Sequence, residues 1–192
     1  IVRDAQEHGV EIRPIDVNLS DWDNTLEGPP GSLALRLGFR QIEGFRQEWA
    51  ERLMATRDRS FEGVETLARR ATLPGAAMRK LADVDAFRSI GLDRREALWA
   101  VRRLPDDAPL PLFAAADARE LGEEADARLP RMRLGEHVAA DYQTTRLSLK
   151  AHPMAILRPV FAAEKMLTCA ELETKRSGAK VRTAGVVLVR QR

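Results

Sequence analysis

The stretch from Leu35 to Arg57, LRLGFRQIEGFRQEWAERLMATR, restricts the fold more than any other part of the chain. Ile42-Glu43-Gly44-Phe45 is followed by Ala50 and Leu53, at the spacing of a helix, a tight turn and a second helix. Such a turn needs a residue that tolerates positive φ, and Gly44 does so without steric cost. Phe45 is then placed to bury between the two helices. The amides that follow open the second helix, where unpaired N–H groups and the positive end of the helix dipole attract an anion. This is the arrangement of a helix-hairpin-helix, which holds a nucleic-acid phosphate with backbone amides. An ordinary αα-corner with Gly in its turn has the same local pattern, so the segment alone leaves both readings open.

Bulk properties narrow the partner only weakly. The formal charge of the 192 residues is +2, yet the pI is about 9.0. The positive charge is nearly all Arg, with Lys only at Lys80, Lys150, Lys165, Lys175 and Lys180. Arg suits phosphate because its planar fork donates two parallel hydrogen bonds. A high-GC genome, which enriches Arg and Ala everywhere, accounts for the same bias. A hydrophobic content of 44% is ordinary for a globular domain. No run of about 18 apolar residues exists, so no membrane span is expected. The one cysteine, Cys169, excludes an internal disulfide and a Cys-rich zinc site. It reads as a small packing residue in a protein of the reducing cytoplasm. The chain opens on Ile1-Val2-Arg3-Asp4, with neither an initiator Met nor a signal-peptide pattern, as a piece of something longer would.

The expected fold is mainly α. Residues 1–31 read as the end of one helix, stopping at Gly9, then an irregular segment. Within it Val10–Val17 alternates like a short strand, which Pro14 demotes to a sheet edge. Gly28-Pro29-Pro30-Gly31 is a break. Residues 32–104 are helical with short connections. Ser60 is placed to cap a helix carrying Val64, Leu67 and Ala68. Thr72-Leu73-Pro74-Gly75 turns into a helix with Met78, Leu81 and Ala82, and Asp93 with Glu96 forms a capping box ahead of Leu98, Val101 and Leu104. Two hairpins, near Gly44 and near Gly75, suggest a tandem helix-hairpin-helix (SAM-like) domain, since each alone buries too little. Residues 105–130 read as a linker, and 131–175 as a connecting helical segment. From 176 to 192 the period changes to two, with Val181, Thr183, Gly185, Val187 and Val189 on one side, which reads as a strand. A lone strand is not stable, so 176–192 is expected to be the start of a truncated β domain.

Several blocks in this order carry a family resemblance: RPIDVNLSDWDNTLE (13–27), LRLGFRQIEGF (35–45), DAFRSIGLDRREALWAVRRL (85–104), LPLF (110–113), DYQTTRLSLKAHPMAILR (141–158) and AKVRTAGVVLVRQR (179–192). Together they resemble the C-terminal part of bacterial C-family DNA polymerases, in particular the error-prone, damage-inducible DnaE-type branch. The resemblance implies the end of a fingers domain (1–31), tandem helix-hairpin-helix elements gripping duplex DNA (32–104), and the first strand of an OB fold (176–192). It also implies a parent DNA-directed DNA polymerase active in translesion synthesis and using Mg2+. The palm carboxylates of that parent are not in this sequence, so no catalytic residue, metal ligand or cofactor is assigned to the chain itself.

The phosphate site is placed at the amides of Gly44, Phe45 and Arg46, flanked by Arg40 and Arg52. Its contacts would be to the backbone of primer–template duplex, independent of base sequence and salt-sensitive. The second hairpin departs from the pattern, because Pro74 removes an amide donor. Gly75, Arg79 and Lys80 are its candidate contacts. Pro109-Leu110-Pro111-Leu112-Phe113 resembles the clamp-binding peptide of bacterial polymerases, with Leu110, Leu112 and Phe113 as apolar anchors. Pro109 stands where Gln is the rule, and Leu112 and Phe113 equally suit pinning the linker to the helices. A contrasting function is therefore an interaction module that docks a sliding clamp or mutagenesis accessory proteins with little DNA affinity. Asp16, Asp21 and Asp23 lie among turn formers, where Asp bonds its own backbone. His8, His137 and His152 lack ligand spacing, and Trp22, Trp49 and Trp99 read as core or interface anchors. Arg102-Arg103 reads as a solvated helix face.

Overall fold

The structure, a computed structural model, describes residues 2–104 and 129–187. These form eight α-helices, two turns of 3-10 helix and one three-stranded sheet. Helix α1 (Val2–Glu7) leads into β1 (Ile12–Arg13), β2 (Thr25–Glu27) and β3 (Ala34–Arg36). The strand order is β1-β3-β2, with β1 parallel and β2 antiparallel to β3. Pro14 follows directly on β1, which is an edge strand as a missing N–H requires. The other two strands fall in stretches expected to be turn-rich or helical. Each is three residues long, too short to show a period.

Charge pairing holds this small sheet as much as apolar burial does. Arg36, on β3 and 7% exposed, donates to both carboxylate oxygens of Glu27 on β2 (2.8 and 2.9 Å) and to Pro14 O (2.9 Å). Arg13 on β1 reaches the same carboxylate at 2.9 Å. These two guanidiniums, Arg36 foremost, pull the Glu27 carboxyl down to a pKa of about 2.

After a 3-10 turn at Phe39–Gln41 the chain enters α2 (Gln47–Ala55), α3 (Val64–Ala71) and α4 (Gly75–Asp83). A second 3-10 turn, Arg88–Ile90, precedes α5 (Arg94–Arg102). Each helix is short and amphipathic, so packing rather than propensity sustains it. Phe39, Leu53, Phe61, Leu67, Met78, Leu81 and Phe87 are all fully buried in one core. Ile15 and Val17 join that core from the N-terminal segment. Asn18 stitches the segment down, its side chain exchanging hydrogen bonds with the Phe61 backbone at 2.7 and 3.0 Å. Gly63, not Ser60, is the N-cap of α3, and no side chain bonds there. The Asp93–Glu96 capping box of α5 is formed as its sequence indicates (3.0 and 2.7 Å).

Beyond the second described segment's start come α6 (Leu134–Thr145), α7 (Pro153–Ala163) and α8 (Cys169–Glu173). Helix α6 packs against α4, and its anchor on α5 is a buried ion pair. Arg94, 1% exposed, bonds the Asp141 carboxylate and donates to His137 O at 3.0 Å. Ser148 Oγ donates to the other Asp141 oxygen at 2.7 Å, and Lys150 lies between Asp141 (3.4 Å) and Asp85 (3.3 Å). Burial, together with the charge of Arg94, holds the His137 imidazole below its ordinary pKa.

At this end of the chain the expectation for Cys169 is corrected, and the expected strand of 176–192 lies partly outside the described residues. The alternation from Val181 onward makes no strand among the described residues; Thr183 forms a single parallel bridge with Leu167. Cys169 is exposed in the first turn of α8 and is not a packing residue.

Candidate nucleic-acid interface

Gly44 adopts φ +69°, the left-handed conformation for which glycine was expected there. The turn follows the single 3-10 turn at Phe39–Gln41, so the first arm of this hairpin is one turn long rather than a full helix. Phe45 N donates to Ile42 O at 3.1 Å and closes the turn. The Phe45 ring is buried, tilted against Phe39 at 5.8 Å and edge-on to Trp49 at 5.4 Å. With Ala50 and Leu53 fully buried below, this aromatic cluster fixes how α2 leaves the turn.

The N-terminus of α2 is open. Arg46 is the N-cap residue, extended at φ −92° and ψ 142°, and no side chain caps the first turn. The first amides of a helix lack the usual intrahelical acceptor; here Trp49 N turns back to Arg46 O at 3.1 Å, and the amides of Arg46, Gln47 and Glu48 remain beside a guanidinium. The Arg46 side chain is stacked over Trp49, 5.1 Å from the ring centroid. Lys80, from α4, crosses to the same turn. Its Nζ donates to Glu43 O at 2.7 Å, and a Cβ placed on Gly44 would lie 3.2 Å from that nitrogen. Lys80 was expected at the second hairpin; the fold brings it to the first.

The other candidates are distributed differently. Arg40 precedes the turn but is bonded to Asp23 at 2.9 Å, an exposed pair that an incoming anion can compete for. Arg52 is exposed on α2, and Arg79 is exposed on α4. Gly75 is the first residue of α4, about 7 Å of helix rise before Lys80. The left-handed residue of that hairpin is Thr72 (φ +47°), and Pro74 is the N-cap of α4. Leu110, Leu112 and Phe113 lie outside the described residues.

A third turn, missed in the sequence, mirrors the first. Gly91 has φ +87°, follows the 3-10 turn Arg88–Ile90, and precedes the start of α5 by three residues, as Gly44 precedes α2. Six residues after each glycine comes a fully buried alanine, Ala50 or Ala97. The difference is in the capping: Asp93 and Glu96 bond each other's amides at the α5 terminus, whereas α2 has Arg46 as N-cap and Glu48 in its first turn. The α5 start is closed by a side-chain capping box, whereas the α2 start has no side-chain cap.

A helix-hairpin-helix motif family matches residues 9–97, a span that contains both glycine turns. Along its whole length the chain is 55% identical to the error-prone DNA polymerase of Rhodopseudomonas palustris (strain HaA2). It is 54% identical to the error-prone DNA polymerase of Brucella abortus biovar 1, and 43% identical to that of Bradyrhizobium sp. (strain ORS 278). The chain is a homologue of part of the error-prone DNA polymerases. It spans 18% of the first two proteins and 23% of the third.

Beside the Gly44 turn, Ile42, Glu43, Lys80, Asp83, Ala140, Gln143 and Thr144 line a cleft of about 560 Å³. Burial raises the Asp83 carboxyl above its ordinary pKa despite the cations around it. No group of three or more potential metal ligands occurs among the described residues. Asp16 accepts from Asn18 N and Ser89 N, and Asp21 and Asp23 pair with Arg57 and Arg40. His8 bonds Asp4, His137 lies beside Arg94 and His152 caps α7, so the three are in different places. Trp22 and Trp49 pack on the core, whereas Trp99 stands on the surface. Among the described residues, no helix is long and apolar enough to cross a membrane.

Proposed function

We propose that this chain is a DNA-binding part of an error-prone DNA polymerase. It grips the backbone of primer–template duplex through the Gly44 amide and the amides of Arg46, Gln47 and Glu48 at the start of α2, the Phe45 amide being spent on Ile42 O. The supporting observation is the uncapped α2 terminus behind Gly44, flanked by Arg46 and Lys80, in a chain homologous to a segment of such polymerases. Amides and point cations read phosphate and not base edges, so the grip carries no sequence preference. It suits an enzyme that must hold whatever duplex it has just made. Residues 32–104 form the gripping unit, 1–31 the end of the fingers, 131–175 a connection and 176–192 the beginning of an OB fold. Arg40, Arg52 and Arg79 supply further backbone contacts at longer reach. Templated nucleotide addition, with its Mg2+, belongs in this reading to other parts of the longer polymerase.

The test is a fluorescence-anisotropy titration of labelled primer–template DNA with the chain and with Arg46→Glu. Affinity should fall steeply with salt and be equal for unrelated sequences, and Arg46→Glu should lower it at least tenfold at low salt. Binding that is undetectable at low salt, or indifferent to Arg46→Glu, refutes the assignment.

A further inference from the structure

Glu43, the residue before the turn glycine, is fixed at each of its polar groups, by α4 and by the C-terminal end of α6. Its N–H donates to Thr144 O, at the C-terminal end of α6, at 2.8 Å. Its carbonyl accepts from Lys80 Nζ on α4 at 2.7 Å. Its carboxylate takes both arms of the Arg146 guanidinium, at 2.8 and 2.9 Å. Arg146 reaches it from a left-handed backbone at φ +62°, a conformation unusual for a non-glycine residue. The α6 helix that presents Thr144 and Arg146 is itself seated on α5 by the buried Arg94–Asp141 pair. An anchored helix, 103 residues away in sequence, thus ends on the turn that carries the open amides.

The chemistry of Glu43 makes this placement consequential. A carboxylate one residue from the glycine of an anion site repels the anion and competes for its donors. Arg146 neutralises that carboxylate and holds it with a two-pronged geometry. Lys80, using one donor on the Glu43 carbonyl, keeps two for a ligand. The Glu43–Arg146 pair is solvent-exposed on both sides, so its removal does not threaten the core.

We propose that Arg146 is a positioning residue of the phosphate site. It acts through Glu43, and the C-terminal turn of α6 is part of the DNA-gripping unit rather than a connector behind it. The inference rests on the Gly44 assignment above.

A double-mutant cycle on the 192-residue chain decides it, with the wild type, Arg146→Gln, Glu43→Gln and the double variant titrated against labelled primer–template DNA over a salt series. Arg146→Gln alone should weaken binding about three- to fivefold, the upper part of the range of an exposed charge pair. The slope of log K against log salt should not change, because no phosphate contact is lost. In the Glu43→Gln background the same substitution should change nothing. In two-dimensional NMR, Arg146→Gln should move the Gly44 amide resonance and leave Gly91 in place, a signature that reports turn geometry independently of DNA and of overall stability. A slope reduced by about one, the value for one lost phosphate, or an equal loss in both backgrounds would make Arg146 a direct DNA contact and overturn the proposal. Unchanged affinity with an unmoved Gly44 resonance would reduce the pair to an ordinary surface bridge and overturn it too. If the wild type fails to bind at low salt, the Gly44 assignment falls and this inference with it. That outcome is distinct from a wild type that binds and an Arg146 variant that behaves in either of the other ways.

Discussion

Replacing Asp141 by Ala removes the only carboxylate that bonds the Arg94 guanidinium among the described residues. Arg94 is 1% exposed, its Nε already lacks a partner, and its other contacts are the carbonyl and, at 3.5 Å, the ring of His137. The guanidinium cannot shed its charge, so it remains buried and largely uncompensated. Breaking a buried pair this way costs about 3–5 kcal/mol. For a chain of this size each kcal/mol lowers Tm by about 2–4 °C, so a fall on the order of 10 °C is expected. Urea unfolding followed by far-UV circular dichroism reads the loss as a lower midpoint. Arg94→Met combined with Asp141→Leu should recover most of it, since apolar replacement of both partners removes the desolvation cost as well as the attraction. A loss below about 1 kcal/mol for Asp141→Ala would show that the pair does not anchor α6, and the docking of α6 would need another cause.

Three further outcomes follow from single positions. Glu27→Gln should cost about 2 kcal/mol at neutral pH, the worth of a shielded carboxylate bonded to two guanidiniums. Because the folded pKa of about 2 lies below the ordinary 4.5, that stability is complete above pH 4.5 and is lost as pH falls toward 2. Chemical melts of both proteins should therefore converge at low pH, and a constant difference would contradict the assignment. Gly44→Ala places a Cβ on a left-handed residue, at about 1 kcal/mol, and presses on the Lys80 ammonium. Its DNA affinity should drop severalfold at matched folded fraction, and unchanged binding would detach the turn geometry from function. Cys169, exposed on α8, should react with a thiol reagent in the native state at nearly the unfolded rate; full protection would restore its reading as a packing residue.

What the sequence discloses and conceals follows from the range of each interaction. The Gly44 turn is legible because its requirements are local: a glycine, an apolar residue beside it, and Ala50 and Leu53 at helical spacing. The Asp93–Glu96 box is legible for the same reason. The Gly91 turn has the same glycine, apolar and alanine spacing, and comparing the two stretches would have found it. Strands β2 and β3 are too short to display a period and exist because Glu27, Arg36 and Arg13 meet in space. The alternation after Val181 shows the converse, a clear period that among the described residues meets only a single bridge to Leu167. Arg94 and Asp141 are 47 residues apart, and Glu43 and Arg146 are 103 apart. Nothing near any of the four marks it as paired, so the part of the site contributed by α6 is visible only in the fold.

In the proposed grip, phosphate is held by the amides of one glycine turn and not by those of its structural double. Titrating isotopically labelled protein with primer–template duplex, and following backbone amides by two-dimensional NMR, tests this directly. Gly44, Arg46, Gln47 and Glu48 should shift with the DNA concentration, while Gly91 and Leu92, bonded to backbone carbonyls, and Asp93 and Glu96, bonded to carboxylates, stay in place. Shifts at Gly91 with none at Gly44 would contradict the account.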